Sequence, residues 1–139
     1  MKGYFKNPSA SQQAIQGDWL YTGDISKLDE EGYIYIVDRK KNMINVRGLN
    51  VYPAEIEKIL FKHPQIKEAA VFGVPDKFKG EVPKAFIVLK TAATLKRQEL
   101  ISYLRQHLAM FKIPKFFEFR QELPKTATGK VAKQELLNS

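Results

Sequence analysis

The sequence predicts an α+β fold, a small sheet with helices packed on one face, preceded by a β-hairpin segment. Three observations predict it. Runs rich in β-branched and aromatic residues, such as 33–37 and 85–89, alternate with stretches whose apolar residues recur at helical spacing, such as Ile56, Ile59 and Leu60. The breaks between them carry glycine, proline or charge. The length, 139 residues of which 44% are hydrophobic, supports one ordinary domain, or a small domain with an added segment.

Taken in order, Ser9 followed by Gln12 has capping-box spacing and predicts a short helix over 10–15, too small to make a core. From Trp19 the pattern turns to strand. Leu20-Tyr21, Ile25 and Leu28 lead through the polar turn Asp29-Glu30-Glu31-Gly32 into Tyr33-Ile34-Tyr35-Ile36-Val37, a β-hairpin. Asp38-Arg39-Lys40-Lys41-Asn42 is a charged break with the character of a hinge or domain boundary. A short strand, Met43-Ile44-Asn45-Val46, then ends at Arg47-Gly48. Pro53 stands where a first-turn proline belongs and predicts a helix over 53–62, closed by His63-Pro64. Residues 66–74 and 84–90 read as strands too continuously apolar for an exposed hairpin, with residues 75–81 as the loop between them. Thr94 is the expected N-cap of a second helix whose Leu100, Ile101, Leu104 and Leu108 share one face. A turn at Phe111-Lys112-Ile113-Pro114, a strand over 115–121, a loop over 124–130 and a short terminal helix follow. From residue 43 the order is β, α, β, β, α, β, α.

Composition closes several function classes. No apolar run approaches the roughly 20 residues that cross a bilayer, and the N-terminus lacks the apolar centre of a signal peptide, so a soluble, cytoplasmic protein is expected. Without cysteine there is no disulfide framework, thiolate metal site or thiol nucleophile; only His63 and His107 remain as imidazoles, and no metal site is expected. The net charge of +8 is uneven: residues 1–38 hold three basic and six acidic side chains, residues 39–139 twenty and nine. The second part calls for an anionic partner, either nucleic acid, a phosphorylated small molecule or an acidic companion domain, unless the lysines are simply solvated.

Three clusters carry chemistry. In Tyr21-Thr22-Gly23-Asp24, a carboxylate at a glycine turn can accept from both hydroxyls of a ribose; an ordinary Gly-Asp turn is the competing reading. In Asp38-Arg39-Lys40-Lys41, followed by Asn45, Arg47 and Gly48, the guanidinium fork suits diol or phosphate oxygens and glycine admits close backbone approach. A basic turn that guards an edge strand competes. In Pro124-Lys125-Thr126-Ala127-Thr128-Gly129-Lys130, a lysine on a Thr/Gly loop can neutralise charge that develops at a phosphoryl group, whereas a P-loop would need glycine where Pro124 stands.

Order and separation of the three together resemble the C-terminal portion of the adenylate-forming superfamily, which includes acyl-CoA synthetases, luciferases and peptide-synthetase adenylation domains. Leu20-Tyr21-Thr22-Gly23-Asp24 resembles the ribose motif. Asp38-Arg39-Lys40-Lys41 through Arg47-Gly48 and Glu55-Ile56-Glu57 resembles the hinge and glycine-loop motif, and residues 124–130 resemble the terminal lysine motif. The run DRKKNMINVRGLNVYPAEIEKIL is most similar to bacterial medium- and long-chain fatty acyl-CoA ligases.

The resemblance implies an enzyme that joins a fatty acid to CoA through an acyl-adenylate, with ATP, AMP, CoA and Mg2+ as its cofactors and an N-terminal adenylation domain as partner. It implies that Asp24 and Arg39 bind the ribose, that Lys41 is the hinge, and that Lys130 is catalytic, reaching the acyl carboxylate and the α-phosphate. Arg47 and Gly48 would meet the acyl-adenylate beside the pantetheine path. Phe111 would stack the CoA adenine with Lys112 and Lys115 near its phosphates; packing of Phe111 against the sheet competes, and Ile113 stands where a relative has arginine. Residues 1–40 would be the tail of the large domain and 41–139 the mobile C-terminal domain, the chain alone being inactive and residues 1–18 poorly ordered. The alternative is a stand-alone basic module, binding nucleic acid or acting in trans; its aromatics, however, fall mostly in strand-like apolar runs, which speaks for core rather than a nucleic-acid face.

Overall fold

The computed structural model describes residues 1–137, which divide into two compact units, one ending at Lys41 and one beginning at Asn42. In the first, helix α1 spans Pro8–Ala14. Its cap is Asn7, not Ser9: the Asn7 Oδ1 accepts the Ala10 N–H at 3.0 Å, and Pro8 supplies a preset φ in the first turn. Strands β1 (Ile15–Gln16) and β2 (Trp19–Leu20) pair with each other, so Trp19-Leu20 lies outside the hairpin expected to contain it. That hairpin is β3 (Asp24–Leu28) with β4 (Ile34–Arg39), closed by Asp29, whose Oδ1 accepts the N–H groups of Glu31 and Tyr33. No residue of this unit is buried; Trp19, Leu28, Ile34 and Ile36 are each about three-quarters exposed, at 76%, 70%, 70% and 71%.

The second unit holds a five-stranded sheet. After a single 3-10 turn at Lys40–Asn42 come β5 (Ile44–Val46) and β6 (Leu49–Val51), joined through Arg47-Gly48; β6 is a strand the sequence reading did not anticipate. Helix α2 (Pro53–Phe61) starts on Pro53 and ends ahead of Pro64, which keeps His63 out of the helical region. Strands β7 (Ile66–Asp76) and β8 (Gly80–Leu89) form one long antiparallel hairpin, so the expected loop 75–81 shrinks to a turn at 77–79. Their continuous apolarity reflects a hairpin covered on both faces rather than two separated strands.

Helix α3 (Arg97–Arg105) is capped at Lys96 and not at Thr94, because Glu99 reaches back to the Lys96 N–H at 2.8 Å while Leu95 and Leu100, on either side of the first turn, are both buried in the same core. Strand β9 (Phe116–Arg120) runs parallel to β8, on the edge that β5 meets at Gly80. Helix α4 (Lys133–Leu137) ends the described chain.

Alternation along β7 and β8 creates two cores. Ala69, Val71, Ala85 and Ile87 face Ile56 and Leu60 of α2 and Leu100 and Leu104 of α3, the expected helix-covered face. Ala70, Phe72, Phe86 and Val88 face the other way, against Leu123, Val131 and Leu136. The helix pair thus lies on one face as read, and the terminal segment with α4 roofs the opposite one.

Candidate functional site

Asp24 and Arg39 are direct cross-strand partners in the β3/β4 ladder, and the Arg39 Nε meets the Asp24 Oδ1 at 2.9 Å. The ladder's register pins this pair, and the Lys40 N–H, donating to the Gly23 carbonyl at 2.8 Å, closes the glycine turn over it. A mostly covered carboxylate beside a guanidinium that is more than half exposed presents acceptors and donors suited to a vicinal diol. Lys41 is the last residue of the first unit.

In the second unit Arg47 and Gly48 form a two-residue hairpin turn with φ of +53° and +83°. Positive φ at both centres is what a hairpin turn matched to strand twist requires, and glycine meets that demand freely. The turn is held from three sides. The Gly48 N–H donates to the Asn45 Oδ1 at 2.7 Å, the Arg47 N–H to the Lys79 carbonyl at 3.0 Å, and the Asn45 N–H to the Glu81 Oε2 at 3.0 Å. The β5/β6 tip is therefore locked to the β7/β8 tip. Asp76 shapes the second tip by accepting the Phe78 and Lys79 N–H groups, and its other oxygen pairs with Lys115, whose hydrogen bond holds the Asp76 carboxyl below its usual range.

The remaining candidate cations are engaged differently. Lys112 contacts both oxygens of Glu55 at 2.8 Å, tying a 3-10 turn to the start of α2, and Phe111 packs against the helix-covered core. Lys130 lies in a small hairpin-like loop: the Thr126 N–H donates to the Lys130 carbonyl at 2.7 Å, Lys125 bridges Val131, and the Ala132 N–H donates to the Pro124 carbonyl at 2.7 Å. Its ammonium is exposed and has no hydrogen bond or ion pair among the described residues. Lys125 reaches Glu68 on β7 at 2.8 Å.

Those contacts place the two loops of the second unit. Arg47-Gly48 sits at the Asp76/Gly80 end of the β7/β8 hairpin and the Lys130 loop at the Glu68/Val88 end. Eight residue steps along β7 separate the ends, roughly 26 Å.

Asp76, Glu81 and Glu68 were not singled out by the sequence. Asp76 stands two residues before Phe78, the spacing of a side-chain turn, and was legible in principle. Glu81 meets Asn45 across 36 positions, and no local pattern announces such a contact. Both histidines flank Tyr103, at 4.7 Å each, away from these loops; burial pushes His63 down from its ordinary pKa. Among the described residues no group of three or more His, Cys, Asp or Glu side chains could hold a metal, and no helix is long and apolar enough to cross a membrane.

The family profile described as AMP-binding enzyme C-terminal domain matches residues 55–130. A long-chain-fatty-acid–CoA ligase of Bacillus subtilis is 48% identical over 137 residues, covering 99% of this chain and 24% of that protein. A 2-succinylbenzoate–CoA ligase of Geobacillus kaustophilus is 44% identical over 135 residues, covering 97% of the chain and 28% of the relative. Among solved structures, the o-succinylbenzoate CoA synthetase of Bacillus subtilis in complex with its acyl-adenylate intermediate superposes with a TM-score of 0.92 at 40% identity, over 100% of this chain and 28% of that one. The chain thus spans about a quarter of the length of the curated relatives it matches.

Proposed function

This chain belongs to the family of AMP-binding enzyme C-terminal domains, and on that premise we propose that it is the mobile part of an acid–CoA ligase acting on a fatty acid. The reaction would couple ATP and the acid to an acyl-adenylate and pyrophosphate, then pass the acyl group to the CoA thiol with release of AMP. A carboxylate is a poor electrophile, and a phosphate leaving group on its oxygen lowers the barrier to thiol attack.

In this reading Asp24 and Arg39 hold the ribose diol. Lys130 brings its ammonium to the acyl carboxylate and α-phosphate and offsets the charge that develops there. Magnesium would accompany the nucleotide phosphates and neutralise their charge, and no residue of this chain is assigned to hold it. Rotation about Lys41 then withdraws Lys130 and brings Arg47-Gly48 to the acyl-adenylate. The separation of the two loops at opposite ends of one sheet is the observation that carries this mechanism, because turning a single body end for end exchanges one loop for the other.

Residues 1–41 have no buried residue, which supports their assignment as a surface completed by the large N-terminal domain. Phe111, Lys112 and Lys115 are assigned to CoA only through release of Lys112 from Glu55 and Lys115 from Asp76. A fatty acid is preferred over 2-succinylbenzoate on the higher identity of the fatty-acid relatives; adenylation assayed with both acids checks it. Family membership disfavours a stand-alone basic module.

The central test is Lys130→Ala in the complete enzyme. Adenylation should be lost and thioester formation from supplied acyl-adenylate largely kept. Equal loss of both would overturn the two-loop mechanism.

A further inference from the structure

We propose that Glu68 is a positioning residue for Lys130, acting through Lys125; this rests on the reading of Lys130 given above. Three observations point to it. Glu68 stands two residues before Ala70, on the sheet face that the terminal segment covers, just after a register shift in the β7/β8 ladder between Ile66 and Glu68. Its carboxylate has one oxygen, Oε1, on the Lys125 Nζ at 2.8 Å, while Oε2 is buried with no hydrogen-bond partner among the described residues. A carboxylate so placed depends on Lys125 for its compensation, so the pair is more constraining than two charges at an open surface.

The third observation is where Lys125 stands. It begins the loop whose far side is Val131, its bridge partner, with the Thr126 N–H on the Lys130 carbonyl next to it. Below the loop both strands of chain run into the core through Leu123 and Ala132, 4% and 8% exposed. Above that base the loop meets the sheet through Val131, which packs against the second core, and through Lys125–Glu68, the one ion pair between them among the described residues. Val131 supplies non-directional packing, and Glu68 adds the directional contact that aims the loop and Lys130. The two residues are separated by 57 positions, which is why no motif reveals the link.

The experiment is steady-state and half-reaction kinetics of the complete enzyme carrying Glu68→Gln. The expected result is a fall of about tenfold in kcat for adenylation, with KM for ATP and acid nearly unchanged, as a misplaced catalytic group should give. Thioester formation from supplied acyl-adenylate stays within about twofold. Lys125→Ala should reproduce the defect and Lys125→Arg, which keeps the charge, should restore adenylation. If Glu68→Gln does not yield folded protein, the Lys125 pair alone decides: equal rates for the alanine and arginine variants overturn the proposal. Equal loss in both half-reactions, the mark of a purely structural role, also overturns it. Lys130→Ala run alongside separates the two readings. Adenylation lost with Lys130→Ala but untouched by Glu68→Gln refutes positioning alone, whereas adenylation intact in Lys130→Ala refutes both.

Discussion

Arg47 carries the clearest conflict between conformation and chemistry at the scale of a single residue. Its left-handed φ of +53° costs an L-residue roughly 1–2 kcal/mol, a penalty that asparagine largely escapes, and Asn-Gly is the favoured pair for this hairpin turn. Arg47→Asn should therefore stabilise the second unit by somewhat under about 1 kcal/mol while slowing thioester formation. Urea unfolding and the half-reaction assay read the two effects separately; a variant that is both less stable and fully active would contradict the assignment of Arg47. This residue, Asp24, Arg39 and Lys130 were all legible as motif members. Their long-range supports were not: Glu81 with Asn45, Asp76 with Lys115 and Glu68 with Lys125 act across 36, 39 and 57 positions, and a linear pattern holds no trace of such partners.

Parallel pairing of β8 with β9 is reinforced, among elements, by Glu118, which takes Lys84 at 2.7 Å from the neighbouring strand and Arg120 from its own. The hydrogen bond from Lys84, aided by Arg120 and opposed by burial, lowers the Glu118 pKa. A carboxylate whose folded pKa is depressed binds fewer protons folded than unfolded. Its contribution is present above about pH 4.3, the ordinary glutamate value, and is lost as the pH falls through the folded one. Melting curves of Glu118→Gln should thus lose less on acidification from pH 6 to about pH 3 than those of the parent; parallel curves would remove the argument. Elements were read well where one signal dominated, as with Pro53 for α2. They were misread where two signals competed. Thr94 is the better capping residue by type, yet Glu99 and the burial of Leu95 and Leu100 in one core set the start at Lys96. The shortness of β6 hid it, since three residues give no alternation to count.

Across the whole molecule the two units differ in kind. Both cores draw on residues 44–136, and nothing in 1–41 is buried. Amide exchange on the chain alone should show strong protection in β7, β8, α2 and α3 and little over residues 1–41. Uniform protection would show that the first unit is stable by itself. The same preparation, given acid, ATP and CoA, should form no acyl-CoA; detectable product would refute the assignment of the remaining machinery to another domain. The charged break at 38–42 was readable because composition changes there. That α4 roofs a second core was not, since a five-residue helix with its apolar residues adjacent at Leu136-Leu137 gives no helical period to count.

The span of roughly 26 Å along β7 also has a meaning in time. On the proposed mechanism, two loops held at opposite ends of one long hairpin cannot visit the same intermediate together, so every turnover carries an obligatory interval between the first chemistry and the second. The order of events is written into a length: a shorter strand would let the steps overlap, and the fraction of each cycle spent waiting is set by how readily the body turns.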